Sequence, residues 1–344
     1  MIGQENKSRW SFFVALGVGC LLGLWFIQLV TFLIIPAQAD KIQKIIEIPP
    51  GANLRAVAQL LVDEGVIKDP AYFIVAGKLT GIERVIKPGE YAINTRMRPL
   101  QILDLLKKGM IYQHEVVIPE GYTIRQIAQL LEDKQFADKK AFIQLTQDPE
   151  FIHSLEIQAD SLEGYLFPST YRIAKKTAPE EIIRMMVRAF QEVYTEELQD
   201  RARQLHLTQH EVVILASIVE KETSVDEERR LVSAVFHNRL RRHMPLQSDP
   251  TVIYALPNFD GNLKRVHLKM KSPYNTYRWL GLPPGPIANP GKAAIDAALY
   301  PESVDYLFFV SRNDGTHFFS RNFQDHNRAV TRYQKMRKVS RSGG

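Results

Sequence analysis

Cysteine is nearly absent from this chain of 344 residues. The single cysteine, Cys20, lies inside a long apolar run, and none follows it. A disulfide framework and a thiolate metal site both need cysteines, so neither is possible in residues 40–344. Cys20 also lacks the leucine three positions upstream that a lipoprotein signal carries, since Gly17 stands there. We therefore expect no lipid on this thiol.

Charge is absent between Arg9 and Asp40. The interval supplies about 25 mostly apolar positions, enough for one helix to cross a bilayer core of ~30 Å. Lys7 and Arg9 precede the run, and the positive-inside tendency places that end in the cytoplasm. The sequence predicts a single-pass protein of the cytoplasmic (inner) membrane, with residues 1–9 cytoplasmic, a membrane helix at 10–36 and the rest extracytoplasmic.

A cleaved signal peptide is the alternative for this N-terminus. Residues 36–39, PAQA, have the small-x-small form of a cleavage site. The apolar region of a signal peptide is only ~7–15 residues long, however, so the length of this run favours a retained anchor.

Signatures of metal and nucleotide chemistry are also missing. The sequence has no HExxH, no glycine-rich phosphate loop and no nucleophile elbow. His206 and His210 have the spacing of two helical ligands, but Thr208 and Glu211 read as a capping box that begins a new helix between them. The net charge of +6 is too dispersed for nucleic acid. We expect no metal, no cofactor and no nucleic-acid partner.

The exported part contains an internal repeat. IPPGANLRAVAQLLVD at 48–63 recurs in register as IPEGYTIRQIAQLLED at 118–133. Each copy reads as a short strand, a Pro-x-Gly turn and an amphipathic helix that begins after Asn53 or Thr123. The arrangement is similar to the LysM module, which binds N-acetylglucosamine chains, so we interpret residues 40–137 as a LysM-like repeat region. The alternative is a packed spacer that holds the remainder away from the membrane.

The remainder of the chain reads as a connector, a second domain and a basic tail. Its hydrophobic period changes from that of helices to that of strands, so an α+β fold class is predicted. The predicted segments are a connector at 138–155, a catalytic domain at 156–335 and a solvated basic tail at 336–344. The predicted elements of the domain are helices at 178–205, 209–223 and 225–243 and a strand at 306–312.

The run ILASIVEKET places two glutamates at the end of an apolar helix. The apolar residues at 212–219 surround the helix, which predicts burial on all sides. Glu220 and Glu222 then emerge where this buried helix ends. Burial raises the pKa of a carboxylic acid, which suits a general acid near neutral pH. The alternative is a structural ion-pair cluster with Lys221 and Arg229, and helical spacing does not separate the two glutamates.

Four later segments are rich in Asn, Gln, Tyr, Gly and Pro. They read HNRL, LQSDPTVIYAL, SPYNTYRWLGLPPGPIANPG and SRNDGTHFFSRNFQDHN. Amides and hydroxyls hydrogen-bond sugar hydroxyls, and tyrosine rings stack on sugar faces. These segments predict a carbohydrate-binding groove.

The motifs ASIVEKET, SDPTVIY, SPYNTY, GLPPGPIANPG and LEGYLFP resemble the YceG-like family of endolytic murein transglycosylases. The resemblance covers almost the whole chain. It implies that Glu222 is the catalytic acid and base, which protonates the glycosidic oxygen between N-acetylmuramic acid and N-acetylglucosamine and then accepts the proton of the muramic 6-hydroxyl. It also implies nascent peptidoglycan glycan strands as substrate. We expect penicillin-binding protein synthases as partners, because both would act on the same strand.

Polar residues in these motifs are the candidates for saccharide contacts. Asp249 is the most informative of them, because it is either the second carboxylate of a hydrolase or a turn residue before Pro250. Ser169 and Ser248 stand where relatives often carry Asp and Thr. The candidate set is Ser217, Gln247, Asp249, Tyr254, Asn275, Tyr277, Asn289, Glu163 and Tyr165.

Two other functions remain open at this point. A muramidase-type hydrolase would use Glu222, Asp249 and water, and its products would carry reducing ends. A non-catalytic wall tether would place the whole function in the repeats.

Overall fold

A computed structural model describes residues 2–335, with the side chains of residues 2–9 and 335 left out. The predicted basic tail at 336–344 therefore lies outside the described residues. The described residues form two compact units: the smaller contains residues 2–114 with Ala174–Lys176, and the larger contains residues 115–173 and 177–335. The first copy of the repeat falls in the smaller unit and the second in the larger. The functional boundaries proposed from sequence for the repeat region, the connector and the catalytic domain stay predictions.

The smaller unit packs three short helices and a two-stranded sheet beside a long apolar helix. Within the long helix, Trp10–Ile34 is long and apolar enough to cross a membrane by length and composition. The elements are α1 (Ile2–Ile34), β1 (Gln43–Ile48), α2 (Leu54–Asp63), α3 (Pro70–Leu79), β2 (Gly89–Asn94) and α4 (Pro99–Lys108).

The sheet of the smaller unit is antiparallel and buries one face. Ile46 of β1 lies opposite Tyr91 of β2, and both are buried, as are Ile48 and Ile93. Alternate residues share a face of a strand, so these side chains meet the apolar faces of α2 and α4 in one core. Asn53 caps α2 by accepting a hydrogen bond from the backbone N–H of Ala56, as its position predicts.

The larger unit is mostly helical and carries two small sheets. β3 pairs with β4, and β5 and β6 form an antiparallel hairpin. The mixed α+β prediction is confirmed. The elements are β3 (His114–Val117), α5 (Ile124–Asp133), α6 (Lys139–Leu145), α7 (Pro149–Ser154), β4 (Thr170–Ile173), α8 (Pro179–Val193), α9 (Glu196–Gln204), α10 (Gln209–Glu222), α11 (Asp226–Arg241), α12 (Asp249–Tyr254), α13 (Lys292–Leu299), β5 (Phe308–Ser311), β6 (His317–Ser320) and α14 (Phe323–Val330).

The prediction of a single helix at 178–205 is wrong, because the structure has two helices there. The structure divides this range into α8 and α9, because Thr195 adopts an extended conformation and begins the second helix. Thr at this position favours a helix start, since a hydroxyl residue ahead of two glutamates suits the N-terminal end.

Helix α10 is the centre of the larger unit. Every residue from 212 to 219 is buried, as its all-round apolar pattern predicts. The Thr208 and Glu211 capping box begins the helix: Thr208 accepts from the N–H of Glu211, and Glu211 accepts from the N–H of Thr208. At the other end the chain turns extended at Thr223, so Glu222 is the last helical residue.

The second copy of the repeat is joined to this core by a buried amide. The Oδ1 of Asn289 accepts from the N–H groups of Gly164 and Leu166, each at 2.9 Å. Its Nδ2 donates to the carbonyl of Tyr122 at 2.8 Å and to Glu163 Oε1 at 3.0 Å. One fully buried side chain therefore ties together the turn of the second copy, the LEGYLFP segment and the loop before α13.

Replacing Asn289 by Ala should destabilise the larger unit. The substitution leaves the buried N–H groups of Gly164 and Leu166 without an acceptor, at about 1–3 kcal/mol each. We expect a lower Tm by circular dichroism of the full chain in detergent. Asn262→Ala, at an exposed position, is the control and should leave Tm unchanged. Equal Tm values for the two variants would contradict the role given to Asn289.

Candidate active site

Glu222 ends α10 with one oxygen engaged and the other without a hydrogen-bond partner among the described residues. Its Oε1 accepts a hydrogen bond from the Ser248 hydroxyl at 2.5 Å. Burial raises the pKa of Glu222 to about 7; the Ser248 hydroxyl and the Arg239 charge oppose the increase, and the Asp249 carboxylate adds to it. A carboxyl with this pKa holds and releases a proton near neutral pH, as a general acid and base must.

Ser248 is directed at Glu222 by the loop that precedes α12. The backbone N–H of Ser248 donates to Thr276 Oγ1 at 3.0 Å, and the N–H of Gln247 donates to the Thr276 carbonyl at 3.1 Å. Gln247 itself has a left-handed backbone with φ of 54°. Sequence reasoning noted Ser248 only as a departure from the family pattern. Its place directly before Asp249 was the one signal that it lies at the site.

Arg239 holds the same loop in place by hydrogen bonds. Its buried guanidinium donates to the carbonyls of Leu307 at 2.8 Å and Leu246 at 2.7 Å, and to Gln247 Oε1 at 3.3 Å. Its positive charge lowers the pKa of Glu222. Sequence reasoning missed this residue, and the only signal was an arginine within the apolar later half of a helix.

Asp249 begins α12 beside Glu222 and remains exposed. The Tyr277 hydroxyl donates to Asp249 Oδ1 at 2.6 Å. Burial, and then this carboxylate, raise the pKa of Tyr277 above its usual range. Three of the residues chosen from sequence, Glu222, Asp249 and Tyr277, thus lie together, and the exposed Gln247 lies in the adjoining loop.

A cavity of about 750 Å³ lies beside this end of α10, and the helix residue in its lining is Lys221 rather than Glu222. It is lined by Lys221, Pro250 and Tyr254, by Glu163, and by the first turn of α5 at 123–126. A space of this size, with polar and apolar walls, suits a saccharide.

Glu163 is the second buried carboxyl of the unit, and all of its acceptor groups are engaged. Its Oε1 accepts from the N–H of Ile124 at 3.0 Å and from Asn289, and its Oε2 accepts from the Tyr254 hydroxyl at 3.1 Å. Burial raises its pKa to about 7, while these three donors oppose the increase. Glu163 is therefore held as part of the cavity wall.

Several residues expected at the substrate lie instead in the packed interior. Ser217 is fully buried, and it donates to a carbonyl of its own helix and accepts from the N–H of Ile287 at 3.0 Å. Asn275 is fully buried and its amide closes its own loop. The Tyr165 hydroxyl forms a 2.8 Å hydrogen bond with His210 Nδ1. A polar side chain that closes a loop looks the same in sequence as one that faces a groove. The interior set is Ser217, Asn275, Asn289 and Tyr165.

The two glutamates of the EKE triplet face different surroundings. Glu220 Oε2 accepts from the backbone N–H of Gly291 at 3.1 Å, and its pKa is raised by burial and then by the Glu120 carboxylate. Arg229, the partner considered in the ion-pair alternative, forms its ion pair with Asp226. The geometry therefore separates a structural Glu220 from a Glu222 that meets Ser248.

Metal-binding geometry is not found among residues 2–335: no group of three or more His, Cys, Asp or Glu side chains is placed to hold an ion. His206 has a left-handed backbone after α9 ends, so it and His210 lie on either side of a helix break, as the capping pattern predicts.

Comparison with known proteins gives consistent matches over most of the chain. The model of the YceG-like family matches residues 46–332. A Bacillus subtilis protein is 33% identical over 304 residues, covering 84% of each chain, and a Streptococcus pneumoniae protein is 31% identical, covering 94% of this chain. Both are named endolytic murein transglycosylase, and this chain spans 64% of the length of the pneumococcal relative.

A solved structure agrees with these matches. The crystal structure of a YceG-like protein from Listeria monocytogenes is 34% identical, with a TM-score of 0.59 over 83% of this chain and 98% of that chain. The resemblance of the motifs around Glu222 is thus confirmed at the level of the family. The chain belongs to the YceG-like family.

Proposed function

We propose that this protein is an endolytic lytic transglycosylase that cleaves peptidoglycan strands between N-acetylmuramic acid and N-acetylglucosamine and leaves 1,6-anhydro ends. The observation that carries the proposal is the environment of Glu222, a carboxyl with a pKa of about 7 at the end of a buried helix, bonded on one oxygen only. The name of the curated relatives supports the substrate and the reaction class.

In the proposed mechanism Glu222 transfers one proton twice. Ser248 occupies Oε1, so Oε2 carries the proton that goes to the glycosidic oxygen as the bond breaks. The carboxylate then accepts the proton of the muramic 6-hydroxyl, whose oxygen bonds to the anomeric carbon and closes the 1,6-anhydro ring. The Arg239 charge favours the transient anion, while Asp249 favours return to the acid. The nucleophile belongs to the substrate, so one carboxylate suffices.

Saccharide contacts are proposed for the polar groups that remain at the surface of this site. Gln247, Asp249 and Tyr277 lie around the catalytic carboxyl, and Tyr254 lines the 750 Å³ cavity. Residues 123–126 of the second repeat copy form another wall of that cavity. This position supports a glycan-binding role for the second copy of the LysM-like repeats, and a packed spacer is the alternative for the repeat region.

Membrane anchoring by α1 would hold the enzyme at newly made strands. Lys7 and Arg9 before the apolar run favour a cytoplasmic N-terminus in the cytoplasmic (inner) membrane, with residues from 40 onwards in the extracytoplasmic space. Penicillin-binding protein synthases are the proposed partners, because they would extend the strand that this enzyme cuts.

Glu222→Gln should abolish strand cleavage, because the amide cannot donate and reclaim a proton. A loss of at least ~10²-fold is expected for a general acid and base. The measurement is mass spectrometry of products from purified peptidoglycan, in which wild-type enzyme gives internal fragments with 1,6-anhydro-muramic ends. Glu220→Gln, which still accepts from Gly291, is the matched control and should retain most of the activity.

Each of the other two outcomes of this assay would indicate a different function. Reducing ends would show that water is the nucleophile and would favour the muramidase with Asp249. Intact glycan with wild-type enzyme would contradict catalysis on this substrate and favour the wall tether.

Ser248→Ala should move the pH profile of cleavage to higher pH. The Ser248 hydroxyl lowers the pKa of Glu222, so its removal raises that pKa and keeps the acid protonated to higher pH. We expect the alkaline limb of kcat/KM, which reports this acid in the free enzyme, to shift upward by up to ~1 unit, with a reduced maximum. Ser248→Thr keeps the hydroxyl and should leave the limb in place. An unshifted limb in the alanine variant would show that the hydrogen bond does not tune Glu222.

A further inference from the structure

The apolar helix α1 is longer than a bilayer requires. At ~1.5 Å per residue the span Trp10–Ile34 is about 38 Å long, against a hydrocarbon core of ~30 Å. About one and a half turns must therefore lie outside the core if the helix crosses the membrane perpendicular to its plane.

The smaller unit packs on the last two turns of this helix. Leu29 is only 4% exposed, although most side chains of the span are exposed, and Phe32 and Leu33 pack against the core of the smaller unit. The Tyr72 hydroxyl of α3 donates to Gln28 Oε1 at 2.7 Å. Residues 28–34 thus belong to the folded unit, and residues 10–27, about 27 Å long, remain to cross the core.

The chain that follows the helix is fixed to the same unit. The N–H of Gln38 donates to the Thr95 carbonyl at 3.3 Å, and the N–H of Ile42 donates to Thr95 Oγ1 at 3.1 Å. These contacts leave little free chain between helix and unit. With residue 27 at the edge of the core, the surface formed by α1, α3 and α4 meets the lipid headgroups.

A cavity of about 320 Å³ opens on this surface. Its walls are mostly apolar and include Ile27, Phe32 and Ile35 of the helix side, with Ala37 and Tyr72. Small-molecule sites begin at about this volume. Because one wall is formed by the membrane helix itself, lipids next to that helix have direct access to the cavity.

Lys68 gives the apolar cavity a charged rim. It is exposed, lines the cavity, and forms no ion pair within the described residues 2–335. The neighbouring Asp69 also lines the cavity, and its carboxylate caps α3, because its Oδ1 accepts from the N–H groups of Ala71 and Tyr72. A phospholipid offers the complementary chemistry, an anionic phosphate for the ammonium group and an acyl chain for the apolar walls.

We propose that the cavity between α1, α3 and α4 binds a phospholipid of the outer leaflet of the membrane, with its phosphate on Lys68. The bound lipid would fix the smaller unit on the bilayer surface with residue 27 at the edge of the hydrocarbon core. The inference rests on the proposed membrane anchoring and is independent of the reaction at Glu222.

Native mass spectrometry of the full chain in detergent with added phosphatidylglycerol tests the site. We expect the wild-type protein to retain one phosphatidylglycerol, and Lys68→Glu to reduce retention about tenfold or more, since contacts to charged groups contribute ~1.5–3 kcal/mol. Lys78→Glu makes the same charge change elsewhere on α3 and should retain the lipid. Ala37→Phe, which fills the cavity, should lose it without a change of charge.

Two results would overturn the proposal. One is no retained lipid in the wild-type protein, and the other is equal retention in the wild-type, Lys68→Glu and Ala37→Phe proteins. An alkaline wash of reconstituted vesicles distinguishes a protein that lacks the lipid site from one that is not anchored in the membrane. A protein released by the wash contradicts the anchor, whereas one that stays with the vesicles but retains no lipid contradicts the cavity site alone.

Discussion

The burial of α10 on all sides is the constraint on which the candidate site depends. A helix whose residues 212–219 all face protein can leave the core only at its ends, and its C-terminal end is where Glu222 lies. The apolar surroundings that stabilise the unit also disfavour the ionised form of that carboxyl. Stability of the core and proton affinity of the acid thus have a single cause.

The two buried carboxyls of the larger unit show why burial alone does not make a general acid. Glu163 and Glu222 both have a pKa raised to about 7. Glu163 accepts hydrogen bonds from three donors. Protonation of Glu163 would weaken these bonds, which join the second repeat copy to the core. Among the described residues Glu222 accepts a hydrogen bond from Ser248 alone, which leaves its second oxygen for the proposed proton transfer. The number of donors, rather than the pKa, distinguishes the two carboxyls.

Local patterns allowed much of the fold to be predicted from sequence. The caps at Asn53 and Thr208, the buried α10 and the mixed α+β class all follow from residue spacing, which acts over a few positions. The break at Thr195 was missed because the apolar stripe continues past it. At the site, the end of α10 was predictable, but the choice of Glu222 over Glu220 came from family resemblance and stays a prediction; the structure shows that Glu220 contacts Gly291 and Glu222 contacts Ser248.

The polar candidates were harder to predict because hydrogen bonding depends on the tertiary fold. Asn289 and Tyr277 both stand in Pro- and Gly-containing loops, yet one is fully buried among four partners and the other meets Asp249. No spacing rule distinguishes them. The role of Arg239 could not be predicted for the same reason. Its acceptors are the backbone carbonyls of Leu307, which is distant in sequence, and of Leu246, which has no distinguishing sequence pattern.

The two copies of the repeat are alike in sequence but not interchangeable. The first completes a small sheet with β2, whereas the second supplies the partner strand of β4 and one wall of the large cavity. A truncation that removed residues 40–137 as one dispensable module would leave β4 with an open edge and expose apolar side chains of the central core. Substitutions in the second copy would therefore change the wall of the large cavity directly, whereas those in the first copy would act on the core of the smaller unit.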